Sequence, residues 1–191
     1  MKNLNICIDI DGTITDAYYW IHLANKYFNK NIKEEDVISY EMHEVFNVEK
    51  EKYMEFYNAN IKEIHEAATL KEGVKPILDK LIKTNNLYFV TARDKRVENI
   101  TINFFKENNI PHNNLFLLGK HYKVDKAIAL SCDIFIEDNY SNAIQLSTAG
   151  FNVILIDTYY NRKKLNDKIT RVKTWDEIYN IIVNKQFEKV S

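Results

Sequence analysis

The sequence predicts an α/β fold: a doubly wound, Rossmann-like parallel sheet of about five strands, with a small all-helical unit inserted after the first strand. Three observations carry this. Short apolar runs alternate with helical patterns through the second half of the 191-residue chain. Each run is apolar almost throughout, as strands covered on both faces are. And far more chain separates the first run from the second than one crossover helix needs.

The first strand is read at Leu4 to Ile10, followed by Asp9-Ile10-Asp11-Gly12-Thr13 at its end. Trp20, Leu23, Ala24, Tyr27 and Phe28 then form one amphipathic stripe, and Tyr53, Phe56, Tyr57, Ile61 and Ile64 another. A shorter helix is expected between them, around Glu35 to Phe46. Gly73 marks a break, after which Val74, Ile77, Leu78, Leu81 and Ile82 outline the crossover helix, with Pro76 tolerated in its first turn. The later strands are read at Leu87 to Ala92, Asn114 to Gly119, Cys132 to Asp138 and Phe151 to Asp157. The helices between them are marked by Val97, Ile100, Phe104 and Phe105, by Val124, Ala127 and Ile128, and by Ala143, Ile144 and Leu146. A last helix begins near Thr174 and carries Ile178, Ile181 and Ile182. The polar stretch from Tyr159 to Arg171 is left open between a loop and a segment that reaches back over the site. The expected division is a core of residues 1–15 and 73–191 and a helical cap of residues 16–72.

Composition narrows the function classes. The chain is 46% hydrophobic and 28% charged, with a formal net charge of -1, so it has no basic field to attract a nucleic-acid polymer. No apolar run approaches the roughly 20 residues of a membrane span. The N-terminal residues carry no signal-peptide pattern, which predicts a cytoplasmic location. Cys7 and Cys132 have neither CxxC nor CxxH spacing, so neither a disulfide framework nor a zinc site is expected.

In an open parallel sheet, ligands bind outside the carboxyl ends of the strands. This chain places Asp9 and Asp11 at the first such end, Thr91-Ala92-Arg93 at the second, Lys120 to Lys123 after the third, and Glu137-Asp138-Asn139 at the fourth. Clustered carboxylates need a cation among them. Mg²⁺ takes a few oxygen ligands and completes its shell with water and substrate phosphate. A carboxylate at Asp9 can attack phosphorus. Asp11, two residues on and so on the same side of an extended chain, can move the proton. Each residue also has an ordinary reading. Asp11-Gly12 is a turn signal, Thr91 a strand residue, Asn139 or Ser141 an N-cap, and the lysines are solvent-facing. These separate readings leave unexplained why all four clusters fall at the same kind of strand end.

Taken in order, "DIDGT", "VTAR", a lysine opening a helix, and "IEDN" resemble the motifs of the haloacid dehalogenase superfamily of phosphohydrolases. The resemblance implies that Asp9 is the nucleophile and a Mg²⁺ ligand. It implies that Asp11 is the acid/base and gives its backbone carbonyl to the metal, and that Asp138 is a further ligand with Glu137 beside it, acting through water. Thr91, Ala92, Arg93 and Lys123 are implied to bind phosphate. Lys126, one turn further in, is the second choice for the motif lysine. Asp11 points to a phosphatase or phosphomutase, because the dehalogenases lack this residue. The insertion matches the superfamily's type 1 cap, which suits a small phosphate ester. The pattern looks nearest to the bacterial branch related to 5'(3')-deoxyribonucleotidases. There Tyr18, Tyr19 and Trp20 are candidates to stack on a nucleobase, although Trp20 also opens an apolar stripe and so reads as cap core. Sugar- or polyol-phosphate phosphatases and phosphomutases share these motifs. A receiver-like phospho-accepting domain shares the acids, threonine and lysine, but accepts phosphate on a later strand and has no large helical insertion.

Overall fold

The computed structural model describes residues 3–188. Six parallel strands form one sheet: β1 (Asn5–Ile8), β2 (Asn86–Thr91), β3 (Leu115–Leu117), β4 (Ile134–Glu137), β5 (Asn152–Ile156) and β6 (Ile169–Val172). Their order is β3-β2-β1-β4-β5-β6. The chain winds outward from β1 in one direction, returns, and winds outward in the other, so the switch of direction falls beside β1. Register sets what meets there. Ile8 pairs with Phe89 on one side and Ile136 on the other. The next residue, Asp9, donates its N–H to Ile136 O at 2.9 Å and emerges beside the end of β4.

Period-two alternation splits the core. Leu4, Ile6 and Ile8 pack on one face with Val74, Leu78 and Leu81 of α4 (Val74–Leu81), Phe104 and Phe105 of α5 (Glu98–Glu107), and Ile178 and Ile182 of α8 (Trp175–Glu188). Cys7, Val90, Phe135 and Leu155 face the other way. They pack against Val124 and Ala127 of α6 (Val124–Ala129) and Ala143 and Leu146 of α7 (Tyr140–Thr148). Both cysteines are free and buried.

Between β1 and α4 lie α1 (Ile21–Phe28), α2 (Met42–Phe46) and α3 (Lys50–Glu66). They bury apolar residues of their own: Ala24, Phe46, Phe56 and Ile64 form one cluster, and Ala17, Ile21 and Val37 share another with Tyr160 of the sheet domain. The two chain crossings run side by side. Thr15 bridges Leu70, Asp16 N–H donates to Thr69 O, and Lys71 N–H donates to Ile14 O.

Two expectations are corrected. The sheet has six strands rather than about five, because the segment left open runs into β6. With only Ile169 and Val172 of its four residues buried, this edge strand carries too little apolar signal to read. The single helix expected at Glu35 to Phe46 is a 3-10 turn at Glu34–Asp36 followed by α2. Ser39 divides them: its hydroxyl accepts from Glu41 N–H and donates to Glu44 Oε2, competing with helical backbone bonds. Among the described residues, no helix is long and apolar enough to cross a membrane.

Candidate active site

Past β1 the backbone folds sharply. Ile10 O accepts from the N–H groups of Thr13, Ile14 and Thr15, and Gly12 takes φ +76°. A Cβ at Gly12 would collide with the Asp138 carboxylate, so this position needs glycine for conformation and for space. The turn sends Asp9 and Asp11 into different surroundings.

Asp9 is buried. Lys123, at the start of α6, reaches it with Nζ at 2.5 Å from Oδ1 and spans to Glu137 Oε1 at 2.7 Å. Glu137 is fully enclosed and its carboxylate is saturated. Oε1 also accepts from Asn142 Nδ2, and Oε2 accepts from the N–H groups of Asp138 and Asn139. Asn139 in turn caps α7 by accepting from Asn142 N–H, which fixes that loop. Burial pushes the Asp9 carboxyl up to about 7, against the pull of Lys123. Burial opposes ionisation of Glu137 too, but Lys123 and the donors around it outweigh this and hold it below its ordinary value. Lys123 is held above its ordinary value, its two carboxylates prevailing over desolvation.

Asp138 is buried and pushed well above the carboxylate range by burial and by its neighbours Glu137 and Asp9. Its Oδ2 accepts from the Tyr160 hydroxyl, and its backbone carbonyl accepts from Asn161 Nδ2 at 2.7 Å. Carboxylate oxygens of Asp9, Glu137 and Asp138 lie within 4.8 Å of one another. One ammonium among three buried acids leaves negative charge uncompensated, so the donor set fits a hard divalent cation. With Glu137 saturated by Lys123, Asn142 and two N–H groups, Asp9 and Asp138 are the side chains with oxygens to offer.

Asp11 faces the helical insertion. Arg93 grips it from two directions, Nη2 to Oδ1 at 2.7 Å and Nε to Oδ2 at 2.9 Å, while Tyr19 donates its hydroxyl to Oδ1 at 2.8 Å. Burial works against ionisation here as well, but the Arg93 charge outweighs it and holds Asp11 well below the usual carboxylate range. Behind Tyr19, His65 Nδ1 lies 3.1 Å from its hydroxyl, and Tyr57 lies 3.3 Å from Nε2. Burial pushes His65 down to about 4, so the ring is neutral near pH 7.

The predicted residues therefore divide. Asp9, Lys123, Glu137 and Asp138 form one cluster. Thr91, buried at the end of β2, accepts from Arg93 N–H at 3.1 Å and keeps its own hydroxyl proton to donate. Ala92 lines the adjoining cleft. Arg93 is tied to Asp11 and, through Nη1, to Thr101, rather than standing free. Lys126, three positions on from Lys123, lies one turn further along α6: its ammonium sits 4.4 Å from the Phe116 ring centroid, and among the described residues no hydrogen bond or ion pair ties it to the carboxylate cluster. Trp20 packs against Phe46 and donates its indole N–H to Ala17 O, while still lining the cleft. Tyr18 accepts from Tyr159 N–H, and Tyr19 bonds Asp11. Sequence reading missed Tyr160, Asn161, Asn142, His65 and Tyr57. Only the unplaced polar segment around Tyr160 gave any hint.

A cleft of about 520 Å³ opens between the sheet edge and the helical insertion. Asp11, Gly12 and Asp138 form its floor; Trp20, Tyr40, Tyr53 and Tyr57 give it aromatic walls, and Arg96 and Lys120 add positive charge.

The family model described as 5' nucleotidase, deoxy (pyrimidine), cytosolic type C matches residues 2–187. A nucleotidase of Clostridium acetobutylicum is 52% identical over 189 residues, covering 99% of this chain and 98% of the relative. Among solved structures, a haloacid dehalogenase-like hydrolase of Streptococcus pneumoniae superposes with a TM-score of 0.72 at 16% identity, over 94% of this chain and 98% of that one. A HAD family hydrolase of Deinococcus radiodurans, with bound phosphate and sodium, gives a TM-score of 0.67 at 10% identity, over 95% and 96%.

Proposed function

The chain belongs to the 5' nucleotidase, deoxy (pyrimidine), cytosolic type C family within the haloacid dehalogenase superfamily and is a phosphoric monoester hydrolase; from that premise we propose that it is a cytoplasmic, Mg²⁺-dependent phosphatase of (deoxy)nucleoside monophosphates that works through an aspartyl-phosphate on Asp9. The observation that carries the mechanism is the buried Lys123 bridging Asp9 and Glu137, with Asp138 alongside linking this cluster to the floor of a cleft with aromatic walls. The Deinococcus hydrolase of similar fold holds a phosphate and a sodium, in keeping with an anion and a cation as ligands here.

In this reading an Asp9 oxygen attacks phosphorus and the ester P–O bond breaks. Asp11, protonated in the substrate complex, gives that proton to the leaving alkoxide, so nucleoside departs as the alcohol and Asp11 is left as the carboxylate that Arg93 stabilises. Water then attacks the same phosphorus and passes its proton to Asp11. The Asp9–phosphorus bond breaks and inorganic phosphate is released. Thr91 donates to a phosphoryl oxygen, and Lys123 keeps Asp9 aligned while offsetting charge in the transition state. Asp9, Asp138 and the Asp11 carbonyl would hold Mg²⁺, which would supply the remaining positive charge for the phosphoryl oxygens. The residues 16–72 act as the cap: they supply most of the cleft's aromatic wall and exclude bulk water from the reacting atoms.

The test is phosphate release from a panel of nucleoside monophosphates, sugar phosphates and polyol phosphates. Nucleotides are expected to be turned over with the highest kcat/KM. Asp9→Asn and chelation of Mg²⁺ are each expected to abolish release. Preference for a sugar phosphate would move the substrate assignment, and wild-type turnover by Asp9→Asn would overturn the mechanism.

A further inference from the structure

The insertion does more than wall the cleft, because two of its residues reach the proposed acid. Tyr19 stands just after the first chain crossing, and His65 in the last turn of α3, just before the second. Both crossings are pinned together at Thr15 and Leu70. From these two points a directed chain of hydrogen bonds runs onto Asp11. The direction follows from counting protons. The Asp11 carboxylate only accepts, so the single Tyr19 hydroxyl proton points to Oδ1. His65 Nδ1, 3.1 Å from the same hydroxyl oxygen, must then be the donor to it. In a neutral ring Nε2 is left as the acceptor, facing the Tyr57 hydroxyl at 3.3 Å.

The consequence for Asp11 is an asymmetry between its oxygens. Oδ1 accepts from Tyr19, Arg93 Nη2 and Arg93 Nε. Oδ2 accepts from Arg93 Nε alone. Oδ1 is saturated, so Oδ2 is the atom with a lone pair to carry a proton. Arg93 by itself touches both oxygens and would not choose so clearly between them.

We infer that Tyr19 and His65 are positioning residues for the reaction: acting from the cap, they saturate Oδ1 of Asp11, orient its carboxyl and reserve Oδ2 for proton transfer to the leaving group. This rests on the proposed role of Asp11. It makes cap placement a condition of acid catalysis as well as of substrate enclosure.

A matched pair of substrates tests it: a nucleoside 5'-monophosphate, and the same nucleotide with sulfur as the bridging atom. The thiolate leaves without general-acid help, whereas the alkoxide needs it, and contacts to the base are the same in both. Tyr19→Phe and His65→Leu are expected to lower kcat/KM on the oxygen ester by about tenfold or more, within the range that general-acid catalysis supplies. On the sulfur ester they should change it less than twofold. His65→Asn, whose Nδ2 can stand where Nδ1 stood, should recover most of the oxygen-ester rate. Equal losses on both esters would mean that the two residues only hold the fold or bind the nucleoside. No loss on either, or no rescue by His65→Asn, would likewise overturn the inference. Asp9→Asn serves as the control for the parent reading. If it is inactive while the Tyr19 and His65 variants lose rate equally on both esters, the positioning role alone fails.

Discussion

Replacing Lys123 by methionine keeps most of the side-chain volume and removes the one ammonium between Asp9 and Glu137. Both ion contacts are short, 2.5 and 2.7 Å, and the three side chains are between 0% and 8% exposed, so solvent cannot take over the lost charge. Removing one partner of such a buried cluster costs about 3–5 kcal/mol. For a chain of this size each kcal/mol moves Tm by roughly 2–4 °C, so the expected drop is roughly 6–20 °C. The pH dependence is more specific. In the wild type the Asp9 carboxyl is raised from 3.8 to about 7. For an acid raised on folding, the native state binds the extra proton. Its share of stability is therefore present at low pH, falls as pH rises through this window, and is flat above about 7. Without Lys123 the folded value moves higher still, so the variant continues to lose stability above pH 7, by up to about 1.4 kcal/mol per pH unit. The assay is urea unfolding of both proteins at pH 6, 7 and 8 with chelator present. A Lys123→Met protein within about 1 kcal/mol of wild type, or a difference that does not widen with pH, would refute the electrostatic account of this cluster.

Two further outcomes follow from the same geometry. Gly12→Ala places a methyl group against the Asp138 carboxylate and within 2.8 Å of the Tyr160 hydroxyl, at φ +76°; it should cost about 1–3 kcal/mol in chemical denaturation and lower kcat by more than tenfold through displacement of Asp138. Tyr160→Phe removes a donor from buried Asp138; the metal-free protein should lose about 1–3 kcal/mol, with part recovered at saturating Mg²⁺. An equal loss with and without Mg²⁺ would separate Asp138 from cation binding.

Much of the sheet and the polar residues at its edge were legible in the sequence for one reason. A strand buried on both faces is written as an unbroken apolar run, and what interrupts its carboxyl end stands out. Asp9, Thr91 and Glu137-Asp138 each follow such a run directly. Lys123 does not, and Lys126 competed with it until the N-terminal position on α6 separated them. The same logic explains the misses. β6 is a short edge strand with two buried residues, and Ser39 breaks a helix through a side-chain contact that periodicity does not register. Tyr160 and Asn161 sit in a short 3-10 turn without period, and reach Asp138 only because β5 and β6 bring that turn over the sheet. His65 reads as an ordinary polar residue at a helix end, because its partner Tyr19 is far away in sequence and near only once the two crossings pair.

The spacing of Asp9 and Asp11 gains a physical meaning from these surroundings. Two carboxylates this close would share one environment on a straight strand. The turn at Gly12 prevents that. Asp9 is drawn toward the sheet, where Lys123 and Glu137 meet it. Asp11 is turned outward, where Arg93 of the core and Tyr19 of the insertion meet it. Each acid thus has its own cation: a compact ammonium beside the proposed attacking oxygen, and a planar guanidinium along the proposed proton carrier. Exchanging them would not be conservative. A lysine at Arg93 could not contact both oxygens of Asp11 from a fixed plane, and would leave the choice between Oδ1 and Oδ2 to Tyr19 alone. The separation of two nearly adjacent aspartates is therefore imposed by their partners: Lys123 and Glu137 around Asp9, and Arg93 of the core together with Tyr19 of the insertion around Asp11.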